Sequence, residues 1–600
     1  MVQELTKEFK GEIGVFRPYA PASDRAAWEA LPGKLKMDLV KKGESCLGFA
    51  YPMLPATRYM EFCREGDRER FELIYFERRY ALNALVMAEC VEHSGRFMDD
   101  IVNGVMAICE ESGWQLPAHN SNRERSEMFC LPDITDPYID LFACETGEQM
   151  AMVSYLLHKE LEGVTPFLTK RINYELHTRI LEPYLNHHFW WMGEKGVPTN
   201  NWTPWCTQNA MIAIFSLEDV SQERKRKALE KAAYSLDVFL DTYGEDGCCD
   251  EGASYYRAAG LALFNAIEVM DAVTGDHFIG LYRETKIKNI APYVMNVHIH
   301  DRYYANFADC STIAGRAGVR EYLFAKRVGN PDMMIFAAQE HEANREEPSK
   351  RTENLFYRVQ AAFTEEEIGG VDISGSPRKE DVYYKSVGLL VARDSRLFLA
   401  AKAGHNDDSH NHNDTGSITV YKDGKPLLID VGVETYSRKT FSDHRYEIWT
   451  MQSGYHNLLT FGDVMQLPGR EYAARDVQVE MAADRVSMTM ELSGAYPAGT
   501  VESYHRTVVF EKEKEIRVTD RCSSLPKGTF LTLLSLAKPT VDGDRLVFEA
   551  TGEIRAEGSY TWEVEKIDIT DKRLFDAWGG TLYRTRLFLQ APEITLIIPN

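Results

Sequence analysis

The sequence predicts an α+β multidomain protein in which a helical N-terminal domain is followed by an antiparallel β-sandwich. Apolar residues recur at three- and four-residue spacing before residue 370, and in short alternating runs after it. The chain, at 600 residues, is also too long for one ordinary hydrophobic core.

In the first part, residues 68–93, 138–161, 223–243 and 257–273 carry the helical period with few β-branched runs and read as helices. Pairs of amphipathic helices joined by short loops suit a helical toroid, although no internal repeat sets a period. Gly, Pro, Ser and charge gather in VDISGSPRKED at 371–381, which reads as a linker between a helical domain, 1–370, and a sandwich domain, 382–600. Beyond it, residues 386–392, 397–403, 417–422, 477–482, 486–491, 507–510 and 515–519 read as strands separated by turn signals.

A net charge of −23 argues against a nucleic-acid binder, and any acidic substrate would need a locally basic cleft. Arg438, Lys439 and Arg445 form one such local cluster. No window of about 18 apolar residues suggests a membrane span, and MVQELTKEFKGEIGVF lacks the pattern of a secretory signal. The expectation is a cytoplasmic protein, or a periplasmic or secreted one if a leader has been trimmed. Eleven cysteines, ten of them before the linker, show no CxxC pair, which suits reduced, buried thiols.

The densest chemistry lies at residues 404–414, GHNDDSHNHND, with three histidines, three aspartates and three asparagines. The 52 residues from His405 to His456 hold five of the chain's sixteen histidines. A polar loop that merely hydrogen-bonds is the bland alternative, and the density of the run weighs against it. His410 and His412 would share a face if this segment were a strand. Asp430 ends the apolar run LLID and His456 opens HNLLTF, so His412, Asp430 and His456 could converge on one divalent ion, with zinc suited to such N/O donors. In the helical part, Asn200-Asn201-Trp202-Thr203-Pro204-Trp205 offers tryptophans for stacking on sugar rings, or a helix N-cap with core tryptophans. GCCDEGASYY places Tyr255 and Tyr256 after a glycine-interrupted loop.

NNWTPW, DEGASYY, SHNHNDTGS with LLIDVGVETY, and RYEIWTMQSGYHNLLTFG together resemble the heparinase II/III-like family of polysaccharide lyases. The resemblance covers most of the chain and implies an (α/α) toroid joined to an antiparallel β-sandwich. It implies that Tyr255 transfers the proton at the cleaved bond, with Tyr256 as the register alternative. By the same resemblance Asn201 binds the uronate carboxylate, His410 faces the substrate, and His412, Asp430 and His456 hold a structural divalent ion, zinc by ligand type. Some relatives carry histidine at or beside the Asn201 position, where this chain has Asn201-Trp202. A second tyrosine would fall at Tyr446 or Tyr436, with Tyr446 preferred because Arg445 beside it could lower a phenol pKa.

Elimination at a uronate requires its carboxylate to be neutralised before the C5 proton can leave, with an acid to protonate the departing O4. Asn201 and His410 suit the first task and Tyr255 the last. His119, Trp202, Tyr256, Arg316 and His405 are further candidate substrate contacts. The expected substrate is an acidic, uronate-containing oligo- or polysaccharide, heparin or heparan sulfate in type and cleaved from an end, with oligoalginate as the alternative. A glycoside hydrolase using Asp246, Asp250 or Glu251, and a non-catalytic uronan-binding protein, are the competing readings. Neither nucleic acid nor membrane is an expected partner, and the oligomeric state is open, a dimer included.

Overall fold

The computed structural model describes residues 1–345 and 354–600. The chain forms two compact units whose last boundary, Pro377 to Arg378, lies within the expected linker 371–381. One contains Met1–Tyr243, Arg257–Ile287 and Ala317–Pro377; the other contains Gly244–Tyr256, Lys288–Arg316 and Arg378–Asn600. Two segments from the helical half are therefore built into the sheet unit. Glycine permits their close approach. A Cβ on Gly247 (φ 79°) would meet the Asn289 carbonyl carbon at 2.2 Å, and one on Gly252 (φ 84°) would lie 2.5 Å from Cys310 Cβ.

The helical unit is layered. Leu141–Leu156, Trp202–Phe215 and Gly260–Thr274 are buried on nearly every face, as helices apolar all round must be, and Trp202–Phe215 packs against both of the others. Gln222–Thr242, packed on Trp202–Phe215, is amphipathic, burying Ala228, Leu229, Ala232, Leu236 and Phe239 along one stripe. Side-chain caps start two of these helices: Asp140 accepts from the Phe142 and Ala143 amides, and Ser221 from the Arg224 amide. The expected helix over 138–161 is broken at Leu157, and the one over 257–273 begins only at Gly260, after a separate turn Ala253–Tyr256.

The sheet unit is an antiparallel sandwich. Its smaller sheet is a meander of Val382–Tyr384, Leu389–Arg393, Leu397–Lys402, Ile418–Lys422 and Lys425–Leu428. The larger, ten-stranded sheet runs from Arg475–Met481 through Arg485–Glu491, Tyr504–Glu511 and Glu515–Cys522 to Thr581–Pro599. Gly552–Asp568 pairs with Thr581–Pro599 along most of its length, from Arg555↔Ile597 to Asp568↔Thr581. Leu399, Val420 and Leu428 from one sheet meet Met488, Val508, Ile516 and Leu587 from the other in one apolar core.

Within this core Arg506 is fully buried. It pairs bidentately with Asp520 at 2.7 Å and donates Nη1 to the carbonyls of Gly416 and Asn457, both at 2.7 Å. One guanidinium thus anchors the loop after the histidine-rich run and the segment beginning at His456. Replacing Arg506 by Ala leaves the Asp520 carboxylate buried without its cation, at a cost of about 3–5 kcal/mol. Thermal unfolding of the sheet unit should drop by about 10 °C, and an unchanged melting temperature would refute this anchoring role.

Candidate active site

Much of the 404–414 run is occupied in holding its own loop. Asp408 and Asp414 neutralise the buried Lys402 ammonium at 3.0 and 2.8 Å, and those carboxylates raise the lysine pKa against the effect of burial. Asn406 donates to Gln466 Oε1 and accepts from Thr415 Oγ1, while Asn413 donates to the Gln466 carbonyl. The loop is a turn and not a strand, and His410 has φ 57°. The expectation that His410 and His412 share a strand face is corrected accordingly: His410 stacks on tyrosine rings at the loop surface, and His412 is wholly buried beside His456.

Both histidines meet on Asp309. Asp309 Oδ2 lies 2.8 Å from His410 Nδ1, and Oδ1 lies 3.1 Å from His412 Nε2 and 2.6 Å from Arg445 Nη2. Burial would raise this carboxyl, but the hydrogen bonds from His410 and His412 and the charge of Arg445 hold it well below the usual carboxylate range. His410 Nε2 lies 3.1 Å from Glu251. Burial alone would lower the imidazole pKa; its hydrogen bonds to Asp309 and Glu251 raise it to about 9, so His410 is an imidazolium at neutral pH.

Tyr255 stacks on His410, ring centroids 4.9 Å apart, and its hydroxyl contacts the hydroxyl of Tyr436 directly. The structure places Tyr436, and not the expected Tyr446, against Tyr255. The Tyr446 hydroxyl accepts from Asn411 Nδ2 at 3.2 Å, and Arg445 is spent on Asp309 and on the Asn411 and Thr440 carbonyls. Arg573 completes the cluster, donating to the Asp309 carbonyl at 2.7 Å with its guanidinium carbon 4.8 Å from the Tyr436 ring centre. Burial pushes both Tyr255 and Tyr436 up in pKa, and Arg573 opposes this on each.

Beneath them lie His412, Asp430 and His456. Asp430 Oδ2 is 3.0 Å from His456 Nδ1, and Oδ1 accepts from Gly432 N at 2.9 Å. His412 Nδ1 and His456 Nε2 are buried without a hydrogen-bond partner, as a metal-ligating imidazole nitrogen would be. The third donor does not join them: among the described residues no group of three or more His, Cys, Asp or Glu is placed to hold a metal ion. The donor types suit zinc, but the three side chains do not converge on one point.

The helical unit assembles its own group. Asn201, buried, precedes helix Trp202–Phe215; Trp202 N donates to Asn200 Oδ1 at 3.1 Å, and the Asn201 side chain makes no capping hydrogen bond. His119 is held by Asp140 at 2.7 Å with its ring edge against Trp202, 4.6 Å between centroids. Burial lowers its pKa, opposed by Asp140.

Three of the expected substrate contacts are engaged within the protein. Tyr256 is fully buried and donates to the Ala291 carbonyl at 2.8 Å. Arg316 pairs with Asp301, and its side chain is only 8% exposed. His405 sits in a two-stranded ladder opposite Ala473, its Nδ1 accepting from the Asp407 amide.

Sequence reasoning missed Asp309, Arg573 and the choice of Tyr436. Asp309 lies in FADCS with no neighbour of matching chemistry, so no local signal marked it. Replacing Asp309 by Ala removes the counter-charge of His410 and Arg445. The sheet unit should lose about 3–5 kcal/mol, measured by denaturant unfolding, whereas a loss below about 1 kcal/mol would mean that solvent replaces the carboxylate.

Residues 376–578 match the family model described as heparinase II/III-like, C-terminal. That span contains the histidine-rich run and both metal-candidate segments, while the NNWTPW and DEGASYY motifs lie outside it. Among solved structures the chain is similar to heparinase III, with a TM-score of 0.65 and 12% identity over 100% of this chain and 89% of the other. It is also similar to a mutant heparan sulfate lyase from Pedobacter heparinus, TM-score 0.59 and 13% identity over 100% of this chain and 87% of that one. No curated protein matches it in sequence. Residues 376–578 thus resemble the heparinase II/III-like C-terminal domain, and the chain has the fold of heparinase III.

Proposed function

We propose that this protein is a polysaccharide lyase that cleaves a uronate-containing glycosaminoglycan or its oligosaccharides by β-elimination. The observation that carries the reading is the direct hydroxyl contact of Tyr255 and Tyr436 beside the imidazolium of His410. The heparinase names of the similar structures support the substrate class. Heparin or heparan sulfate is the proposed polymer, with cleavage from an end.

In this scheme His410, charged and fixed by Asp309, offsets the negative charge that grows on the uronate as its C5 proton leaves. Tyr436 takes the C5 proton after its own phenol, held up in pKa by burial and Asp309, has lost its proton, a loss that Arg573 over its ring favours. Tyr255 gives its proton to O4, the C4–O4 bond breaks and a C4=C5 double bond forms. Their contact lets the proton pass from Tyr436 back to Tyr255, so no net proton is consumed. The raised pKa of Tyr255 keeps it protonated as an acid.

Ultraviolet absorbance of the unsaturated uronate tests this directly against heparin, heparan sulfate, hyaluronan, chondroitin sulfate and alginate oligosaccharides. Tyr255→Phe and Tyr436→Phe should each lower kcat by about 10²–10⁴-fold with the melting temperature unchanged, and Tyr446→Phe by only a few-fold. Full activity in Tyr255→Phe would sink the assignment. A hydrolase using Asp250, whose carboxyl is pushed to about 7 by burial and by Glu251 and Asp408, would release reducing sugar without any rise in absorbance.

A structural divalent ion, zinc by ligand type, is proposed at His412 and His456, supported by the two orphaned nitrogens; Asp430 would serve as third donor only by turning from its hydrogen bonds to His456 Nδ1 and Gly432 N. Bound there it would brace the loop that carries His410. Purified protein should then contain about one equivalent of metal, and His412→Ala and His456→Ala should lose it together with thermal stability. Metal-free wild-type protein with full activity and melting temperature would exclude the ion.

A further inference from the structure

A second cationic feature lies in the helical unit and has no part in the scheme above. The loop of residues 120–129 folds back on itself, with Phe129 N donating to the Asn120 carbonyl and Asn122 Oδ1 accepting from the amides of Ser126 and Glu127. At its tip Arg125 adopts φ 58°, a left-handed conformation that a non-glycine residue pays for. That conformation lays the guanidinium over two indoles: its carbon lies 4.9 Å from the Trp190 ring centre and 5.1 Å from that of Trp202. The indoles are fixed in turn, Trp190 by its Nε1 hydrogen bond to Tyr138 at 3.0 Å and Trp202 by its edge contact with His119.

The charge of Arg125 is uncompensated. Among the described residues no carboxylate pairs with it, although the chain carries 91 acidic residues against 68 basic ones. Its neighbour Arg123 is paired with Asp136, and Arg68 with Glu72 at 2.6 Å. Burial lowers the Arg125 pKa, Arg68 adds to this and the Tyr138 phenol opposes it. The side chain nonetheless remains open to solvent on one side. A planar, always-charged fork stacked on indoles, on a solvent-exposed residue, is preorganised for bidentate recognition of an oxyanion.

We propose that Arg125, seated on Trp190 and Trp202, forms a subsite for the acidic group of a sugar unit, a carboxylate or a sulfate ester, and sets the protein's selectivity for charged over neutral saccharides. This rests on the saccharide reading above but not on the elimination chemistry. Trp202, adjoining Asn201 in the chain, supplies the apolar face and Arg125 the charge.

The test measures binding by calorimetry in the Tyr255→Phe background, so that turnover does not intervene, using an unsulfated uronate tetrasaccharide, its sulfated counterpart and a neutral glucan tetrasaccharide. Adding Arg125→Gln should weaken binding of the acidic ligands about 10–100-fold and leave the neutral one unchanged. Arg125→Lys should recover only part of the loss, because an ammonium lacks the stacked fork. A loss confined to the sulfated ligand assigns the subsite to sulfate; an equal loss on both assigns it to the carboxylate. In the otherwise wild-type enzyme Arg125→Gln should raise KM by a similar factor and change kcat far less, with an unchanged melting temperature.

Unaltered binding in both variants, or a loss shared by the neutral ligand, would overturn the proposal. If the wild-type protein cleaves uronans and Arg125→Gln is indistinguishable from it, the subsite fails while the lyase stands. If binding depends on Arg125 and no elimination occurs, the lyase fails while the subsite stands. Absence of any binding to acidic saccharides would remove both.

Discussion

The candidate chemistry of the sheet unit hangs on one buried carboxylate. Asp309 presents Oδ2 to His410 and Oδ1 to His412 and Arg445, while its carbonyl accepts from Arg573. Four side chains from distant parts of the chain take their orientation from this residue. With both nitrogens held by carboxylates, His410 has neither rotational freedom nor a low pKa, and its ring becomes a fixed charged plate against which Tyr255 stacks. Charge and orientation have one source.

The surrounding ionic groups follow the same logic. Lys402 with Asp408 and Asp414, Arg506 with Asp520, and His456 with Asp430 are all buried pairs. Taking such charges out of water costs about as much as their attraction returns, so they are a poor source of stability. What they do is specify one arrangement of the loops above a sandwich whose apolar core supplies the favourable free energy. Arg506 reaches through that core to the backbone on both sides of the site, so the histidine-bearing loops are tied to the rigid sheets beneath them.

A protein of net charge −23 repels polyanions as a whole, and it can bind an acidic sugar only through local cations. In the sheet unit these are His410, Arg445 and Arg573, gathered around Asp309. In the helical unit the same role falls to Arg125, whose support is aromatic. The two solutions differ in what holds the cation: a carboxylate fixes an imidazolium but spends part of its charge, whereas indole faces hold a guanidinium and leave its donors available.

The residues themselves determined the succession of helices and strands, since amphipathic periods of 3.6 and 2 are written locally, and they marked the histidine-rich loop, Tyr255, Asp430 and His456 by their type and density. The Lys402 pairings show why that density misleads as well: two of the three aspartates serve the loop's own folding. Tertiary structure alone decided that Tyr436 and not Tyr446 meets Tyr255 across 181 residues, that Asp309 lies between His410 and His412, and that residues 244–256 and 288–316 join the sheet unit. Periodicity reports which face of an element is buried. Which distant segments then meet depends on glycines that allow close backbone approach and on buried charges that accept few partners, and neither leaves a period in the sequence.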